Sequence, residues 1–156
     1  MTENYQIDNV DRQILSHLLE DARVPYLEIA RKLIVSGGTI HQRIDKLKKM
    51  GVLEGSKAVL NLSKLGYDVT VILGIHLKSS RDLNNVIDKL RKLPEIVEAH
   101  YTTGNYALLL KLHTKNIQDF HYFLANKLQA IDAIQSTESF ISLSQPINRD
   151  VQVIEN

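Results

Sequence analysis

Thr39, Gln42, Arg43, Lys46 and Lys49 recur at intervals of three and four residues, the spacing that puts them on one face of an α-helix. Their chemistry suits a nucleic-acid duplex. Glutamine can pair bidentately with adenine and arginine with guanine, while lysine and threonine reach phosphate oxygens. Ser36, Gly37 and Gly38 come just before this row, and a helix starting there turns free N–H groups toward a possible phosphate. Ser36, Gly38, Thr39, Gln42, Arg43, Lys46 and Lys49 are therefore the candidate DNA contacts. A merely solvated helix face is the plain alternative. The tight turn before this helix and the hairpin expected after it argue against that, since a solvated face explains neither. Charge agrees: residues 36–60 hold five basic side chains (Arg43, Lys46, Lys48, Lys49, Lys57) against two acidic ones (Asp45, Glu54), although the whole chain has a net charge of only +1.

Other reactive groups form no such constellation. His17, His41, His76, His100, His113 and His121 lack paired ligand spacing, so no metal site is expected. His76 and His113 are expected to face each other on neighbouring strands. With no cysteine, thiol chemistry and disulfides are excluded. Neither a phosphate-binding glycine loop nor a GxSxG turn occurs, and no catalytic residues and no cofactor are assigned; the chain does not read as an enzyme.

Three helical blocks must position the row. Val10, Ile14, Leu15, Leu18 and Leu19 form a stripe over 8–20, with Asp8 and Asp11 where a cap and a first-turn acid belong. Tyr26, Ile29, Ala30 and Leu33 line a short second helix with Pro25 in its first turn. The third begins at Ser36 as N-cap, buries Ile40, Ile44 and Leu47, and stops at Gly51. Two short helices so tightly joined, with another packed behind, make a helix-turn-helix. A hairpin over 52–60, turning at Gly55 and Ser56, would add a wing.

After a connector over 61–67 the period changes. Strands are expected over 68–78, 96–103, 106–114 and 134–143, and helices over 82–93 and 116–128. Gly104-Asn105 reads as a tight hairpin between the second and third strands. The second helix of this half presents Ile117, Phe120, Phe123, Leu124 and Leu128. The order βαββαβ is the ferredoxin-like arrangement, so the chain reads as α+β: a winged helix-turn-helix over 1–60, a linker over 61–67 and a ferredoxin-like domain over 68–156. The first strand is apolar on both faces, with Val69, Val71, Leu73 and Ile75 on one and Ile72 beside Gly74 on the other. One face packs under the helices; the other implies a second subunit, sheet on sheet, in a homodimer.

Hydrophobic residues at 44% are enough for a core and argue against disorder. No apolar run is long enough to span a membrane, and residues 1–5 lack the pattern of an export signal, so a cytoplasmic location is expected.

These stretches together resemble the Lrp/AsnC family of feast/famine regulators. The resemblance rests on Ile7-Asp8-Asn9-Val10-Asp11 with Ile14-Leu15; Glu28-Ile29-Ala30; Ser36-Gly37-Gly38-Thr39 with Arg43 and Leu47; Gly51-Val52-Leu53; Leu65-Gly66-Tyr67; and Tyr101-Thr102-Thr103-Gly104-Asn105-Tyr106. Gln135-Ser136-Thr137-Glu138 and residues 143–147 look closer to the AsnC branch than to the leucine-responsive one. The resemblance implies a RAM-type effector domain, dimers assembling into octamers or open helices, double-stranded DNA wrapped by the assembly in the nucleoid, and a free amino acid as effector. It places the effector against Tyr101, Thr102, Thr103, Gly104, Asn105 and Tyr106 of one subunit and Gln135, Ser136, Thr137 and Glu138 of another. Asparagine is the effector the branch suggests, and genes of amino-acid metabolism are the implied targets. Relatives commonly carry proline after the serine that opens the third helix; here Gly37 stands in its place. The rival readings are a nucleoid-architectural protein indifferent to ligands and, further off, an enzyme using the second half as a small-molecule site.

Overall fold

The computed structural model describes residues 6–153. The expectation resting on residues 1–5 lies outside the described residues. The chain divides into two compact units. Described residues up to Val59 form one together with those from Ile147 onward, and Leu60–Pro146 form the other.

The first unit is helical: α1 (Asn9–Glu20), α2 (Tyr26–Leu33) and α3 (Gly37–Lys49). Asp8 caps α1 reciprocally, its carboxylate accepting from the Asp11 amide while the Asp11 carboxylate accepts from the Asp8 amide. Pro25 is the N-cap of α2 rather than a residue of its first turn, because its extended ψ of 132° keeps it outside the helix. Ser36 caps α3 by accepting from the Thr39 amide, and Gly51 leaves the helix in a left-handed conformation (φ 71°). Ile14, Ile29, Ala30, Ile40 and Ile44 make the core, one apolar side from each helix. Each fully buried isoleucine contributes roughly 1.5–3 kcal/mol.

The wing does not form. Residues 52–60 make no ladder, Gly55 has no positive φ with which to close a two-residue hairpin, and Val59 and Leu60 are exposed. A hairpin with no apolar face to bury is marginal in water. Residues 147–153 also depart from the expected division. They belong to the helical unit, where the Arg12 guanidinium donates to the Val153 carbonyl at 3.3 Å.

The second unit follows the expected order: β1 (Val69–Leu77), α4 (Leu83–Leu90), β2 (Ile96–Tyr101), β3 (Leu108–Thr114), α5 (Ile117–Tyr122) and β4 (Ile134–Ile141). The four strands lie in the order β2-β3-β1-β4, every adjacent pair antiparallel. Val71, Leu73 and Ile75 of β1 and Leu108, Leu110 and Leu112 of β3 point to one face. There they pack with Val86 and Leu90 of α4 and with Phe120 and Phe123. Ile72, Gly74 and His76 alternate to the outer face, where Ile72 and Phe140 remain exposed.

Three details differ from expectation. The helix over 116–128 is α only to Tyr122 and continues as a π turn over Phe123–Leu128, which brings Phe123 and Leu128, five apart, into the same core while Ile117 stays exposed. The Gly104-Asn105 hairpin is instead a longer connection over 102–107. Neither residue has the positive φ a tight turn demands, and the connection is pinned by the Thr102 amide on the Ala107 carbonyl and the Ala107 amide on that of Ile75. His76 and His113 do not meet, because the β1–β3 register sets His113 against Thr70, whose hydroxyl bonds its Nδ1 at 2.9 Å.

Candidate functional site

The candidate row on α3 is brought onto one face of the helix, as its spacing demands. Thr39, Gln42, Arg43 and Lys46 line one surface cavity of about 220 Å³ on α3, and Lys49 is exposed a turn further on. The Ser36 and Thr39 hydroxyls lie 2.8 Å apart, so both take part in the helix cap. Gly38 is exposed in the first turn, where the helix amides lack intrahelical acceptors.

Arg43 has a task that helical spacing could not reveal. Its Nη1 donates to both carboxylate oxygens of Asp8, at 2.8 and 2.7 Å, and to Oδ1 of Asp11 at 2.9 Å. Asp11 is 0% exposed, Arg43 25% and Asp8 49%, so this tie between the start of α1 and the middle of α3 is buried at Asp11 and open to solvent at Asp8. The hydrogen bond from Arg43, helped by the Asp11 amide, holds the Asp8 carboxyl below its ordinary value. The same contacts keep Arg43 charged. Edge-on contact of Tyr26 with His41, ring centres 4.9 Å apart, joins α2 to α3.

In the sheet unit a cavity of about 300 Å³ lies at the end where β2 runs into the 102–107 connection. Tyr101, Thr102, Gly104 and Asn105 line it, as do His76, Leu77, Ser80, Leu83 and Ala107, which sequence reasoning passed over as site residues. Nothing in the spacing marked those five: the strand register brings His76 and Leu77 at the end of β1 beside this turn, and Ser80 and Leu83 come from the segment that leads from β1 into α4. Thr103 and Tyr106 do not line the cavity, nor do Gln135, Ser136, Thr137 or Glu138. These last four lie on or beside the edge strand β4, with Thr137 opposite Ile75 on the helix-covered face and Glu138 opposite Gly74 on the outer face. Tyr106 bridges the two segments. Its hydroxyl donates to the Glu138 carboxylate, which raises the phenol's pKa, and its ring lies 5.0 Å from that of His76.

The comparisons with known proteins agree with both halves. Residues 7–48 match the AsnC-type helix-turn-helix domain, and residues 70–152 match the Lrp/AsnC ligand binding domain. The chain is 49% identical over 148 residues to the Regulatory protein AsnC of Haemophilus influenzae, covering 95% of this chain and 99% of that protein. It is 45% identical over 150 residues to the Regulatory protein AsnC of Escherichia coli K12, covering 96% and 99%. The solved structure of E. coli AsnC superposes with a TM-score of 0.91 at 43% identity, over 95% of this chain and 99% of that one. A Neisseria meningitidis transcriptional regulator solved as a complex with L-Met shares the fold at a TM-score of 0.88 and 20% identity, over 92% and 94%. With both domain models matched in order along one chain and relatives 45–49% identical over nearly its whole length, the chain belongs to the Lrp/AsnC family of transcription regulators.

Proposed function

We propose that the chain controls transcription in response to a free amino acid, and that it does so as a homodimer assembling further toward an octamer on double-stranded DNA in the cytoplasm. The cavity beside the 102–107 turn carries this reading. It is large enough for a small ligand, and it combines turn amides suited to a carboxylate with hydroxyl and amide side chains that fix orientation. Glu138 of a neighbouring subunit would supply an acceptor for the ammonium group. The amino acid in the Neisseria structure supports the ligand class, and the AsnC relatives favour asparagine among polar candidates. Genes of amino-acid metabolism are then the targets. The exposed Ile72 and Phe140 on the outer face support dimerisation through the sheet; a monomer by sedimentation at micromolar concentration would overturn it.

Ser36, Gly38, Thr39, Gln42, Lys46 and Lys49 contact the DNA in this reading, with Arg43 at the same cavity. In this reading the protein acts by binding DNA and ligand, as its relatives' naming as regulatory proteins favours. The test is thermal unfolding against each common amino acid at millimolar concentration, where ligand at about 100 times its dissociation constant adds about 2.7 kcal/mol. A rise in midpoint with one amino acid, together with a DNase footprint altered by the same compound, supports the proposal. No rise with any, and an extended footprint unchanged by all, would support the architectural alternative instead.

A further inference from the structure

Gly74 is the one glycine among the described residues at which an added side chain has no room. A Cβ built there would lie 2.4 Å from Cδ1, 2.6 Å from Cγ and 2.7 Å from Cε1 of Tyr106, whereas at every other glycine the nearest atom is at least 3.8 Å away or beyond contact. The Tyr106 ring thus rests on the bare backbone of β1. It is flanked by His76 and reaches Glu138, which the register places directly opposite Gly74 on β4. A glycine inside a strand gives up side-chain packing, and a neighbouring aromatic ring laid over it restores what is missing. The other end of the tyrosine is also fixed: the Thr102 hydroxyl donates to the Tyr106 carbonyl, and the Ala107 amide to the Ile75 carbonyl.

We propose that Gly74 and Tyr106 are positioning residues that lock the cavity-lining turn to strand β4: the ring keyed over Gly74 and the hydroxyl on Glu138 set the geometry in which the turn meets an amino acid. The inference rests on the proposed amino-acid response for its functional consequence, but the lock itself is a property of the ligand-free chain. Because Cγ is among the atoms approached, the ring cannot slide aside within its own rotamer. The whole side chain must swing about χ1, which also pulls the hydroxyl from Glu138.

Steric keying makes a prediction of sign. Gly74→Ala lowers the thermal midpoint of the full-length protein by several degrees when Tyr106 is present. In the Tyr106→Ala background the same change raises it or leaves it unchanged, because alanine fits a strand at least as well as glycine once the ring is gone. Equal losses in both backgrounds would overturn the lock. Tyr106→Phe is expected to go on costing stability in the Glu138→Gln background, where an acceptor for the hydroxyl remains, and to cost little in the Glu138→Ala background, so that the Tyr106→Phe/Glu138→Ala cycle shows coupling.

The functional arm uses L-asparagine and L-methionine as probes. If either stabilises the wild type, Gly74→Ala loses that stabilisation, while Gly74→Ala/Tyr106→Ala recovers folding without recovering the response. A Gly74→Ala protein responding as wild type does would overturn the positioning role. A wild type indifferent to every amino acid would sink the proposed effector and with it the positioning role, while the background-dependent sign of Gly74→Ala would still decide the lock.

Discussion

Arg43 and Tyr106 are each anchored by contacts within their own chain, but by opposite physics. Arg43 is held by charge: two carboxylates, one of them fully buried, grip a single guanidinium nitrogen and tie α3 to α1. Tyr106 is held chiefly by shape, its ring seated where β1 has no side chain. A charge tie is sensitive to protonation and to loss of either partner; a steric seat is sensitive to a single added methyl group. The same chain thus orients the last helix of its helix-turn-helix and its cavity-lining turn by devices that fail under different perturbations.

The comparison breaks most sharply at Asp11. Asp11→Ala is expected to cost about 2 kcal/mol, since it leaves a partly buried guanidinium with half-exposed Asp8 in place of its buried partner and also removes half of the α1 cap. Leu73→Ala in the sheet core should cost a similar ~2–5 kcal/mol from the cavity it opens. Urea unfolding separates the two in kind. Asp11→Asn, which keeps the size of the side chain but not its charge, should reproduce much of the Asp11→Ala loss, whereas Leu73→Met, which keeps most of the volume, should recover most of the Leu73→Ala loss. A wild-type-like Asp11→Asn would mean the tie contributes only packing.

In the proposed contact with DNA, Arg43 is engaged with acids and direct reading falls chiefly to its neighbours. Gln42→Ala should weaken binding to the preferred operator by about 1–3 kcal/mol while leaving random duplex unaffected. Lys49→Ala should weaken both and reduce the slope of log affinity against log salt by roughly one. Filter binding over a salt series checks both, and a Gln42→Ala loss shared by random duplex would remove it from the base-reading set.

The turn before the recognition helix offers a gain rather than a loss. Ile34 lies left-handed at φ 56° with its side chain 92% exposed, a conformation that costs a β-branched residue about 1–2 kcal/mol. Ile34→Gly removes that strain at an entropic cost of roughly 0.5–1 kcal/mol. A net stabilisation under about 1 kcal/mol, read as a higher urea midpoint with unchanged slope, is expected.

Acid should divide the two units by pH window. Asp8 is held below its ordinary 3.8 first by the hydrogen bond from Arg43, so its ionised form stabilises the helical unit above that value, and the benefit is lost as pH falls through the lowered folded value. His113 is held below 6.5 first by burial and then by the charge of Lys111, with Glu98 opposing. Its neutral form therefore stabilises the sheet above 6.5, and that contribution is lost as pH falls through its own lowered value. Thermal midpoints against pH should flatten at the milder window in His113→Gln and only at the more acidic one in Asp8→Asn. An unchanged profile in His113→Gln would place the first acid loss elsewhere.

Much of this was legible because it is periodic. Ile40, Ile44 and Leu47 announced the buried face of α3, and the alternation of Val71, Leu73 and Ile75 announced that of β1. The caps at Asp8 and Ser36 were legible because capping is a local exchange between residues three apart. What escaped was set by distance or by neighbours. Arg43 meets acids more than thirty positions away. Gly104 looked like the glycine a turn required, yet the glycine that matters to this turn is Gly74, in a strand, for the room it leaves. The π turn after Tyr122 answers to core packing, with no proline or glycine to foretell it. The wing was misread because a turn-forming pair between apolar residues says nothing about whether a surface exists for the hairpin to cover.

Gly37 joins the two lines of argument at the smallest scale. It is the first residue of α3, its φ is not positive, and an added Cβ would make only ordinary contact with Leu27 at 3.8 Å. Ser36 before it is extended, with ψ 151°, the conformation a following proline imposes on its neighbour. A proline at the first helical position gives up no intrahelical hydrogen bond and restricts the unfolded chain. Gly37→Pro should therefore stabilise the helical unit by about 0.4–1 kcal/mol without moving the recognition face. A higher melting midpoint with unaltered operator affinity is expected. If the midpoint rises but affinity changes, the start of α3 must yield when it meets DNA, and the glycine serves that movement rather than merely tolerating it.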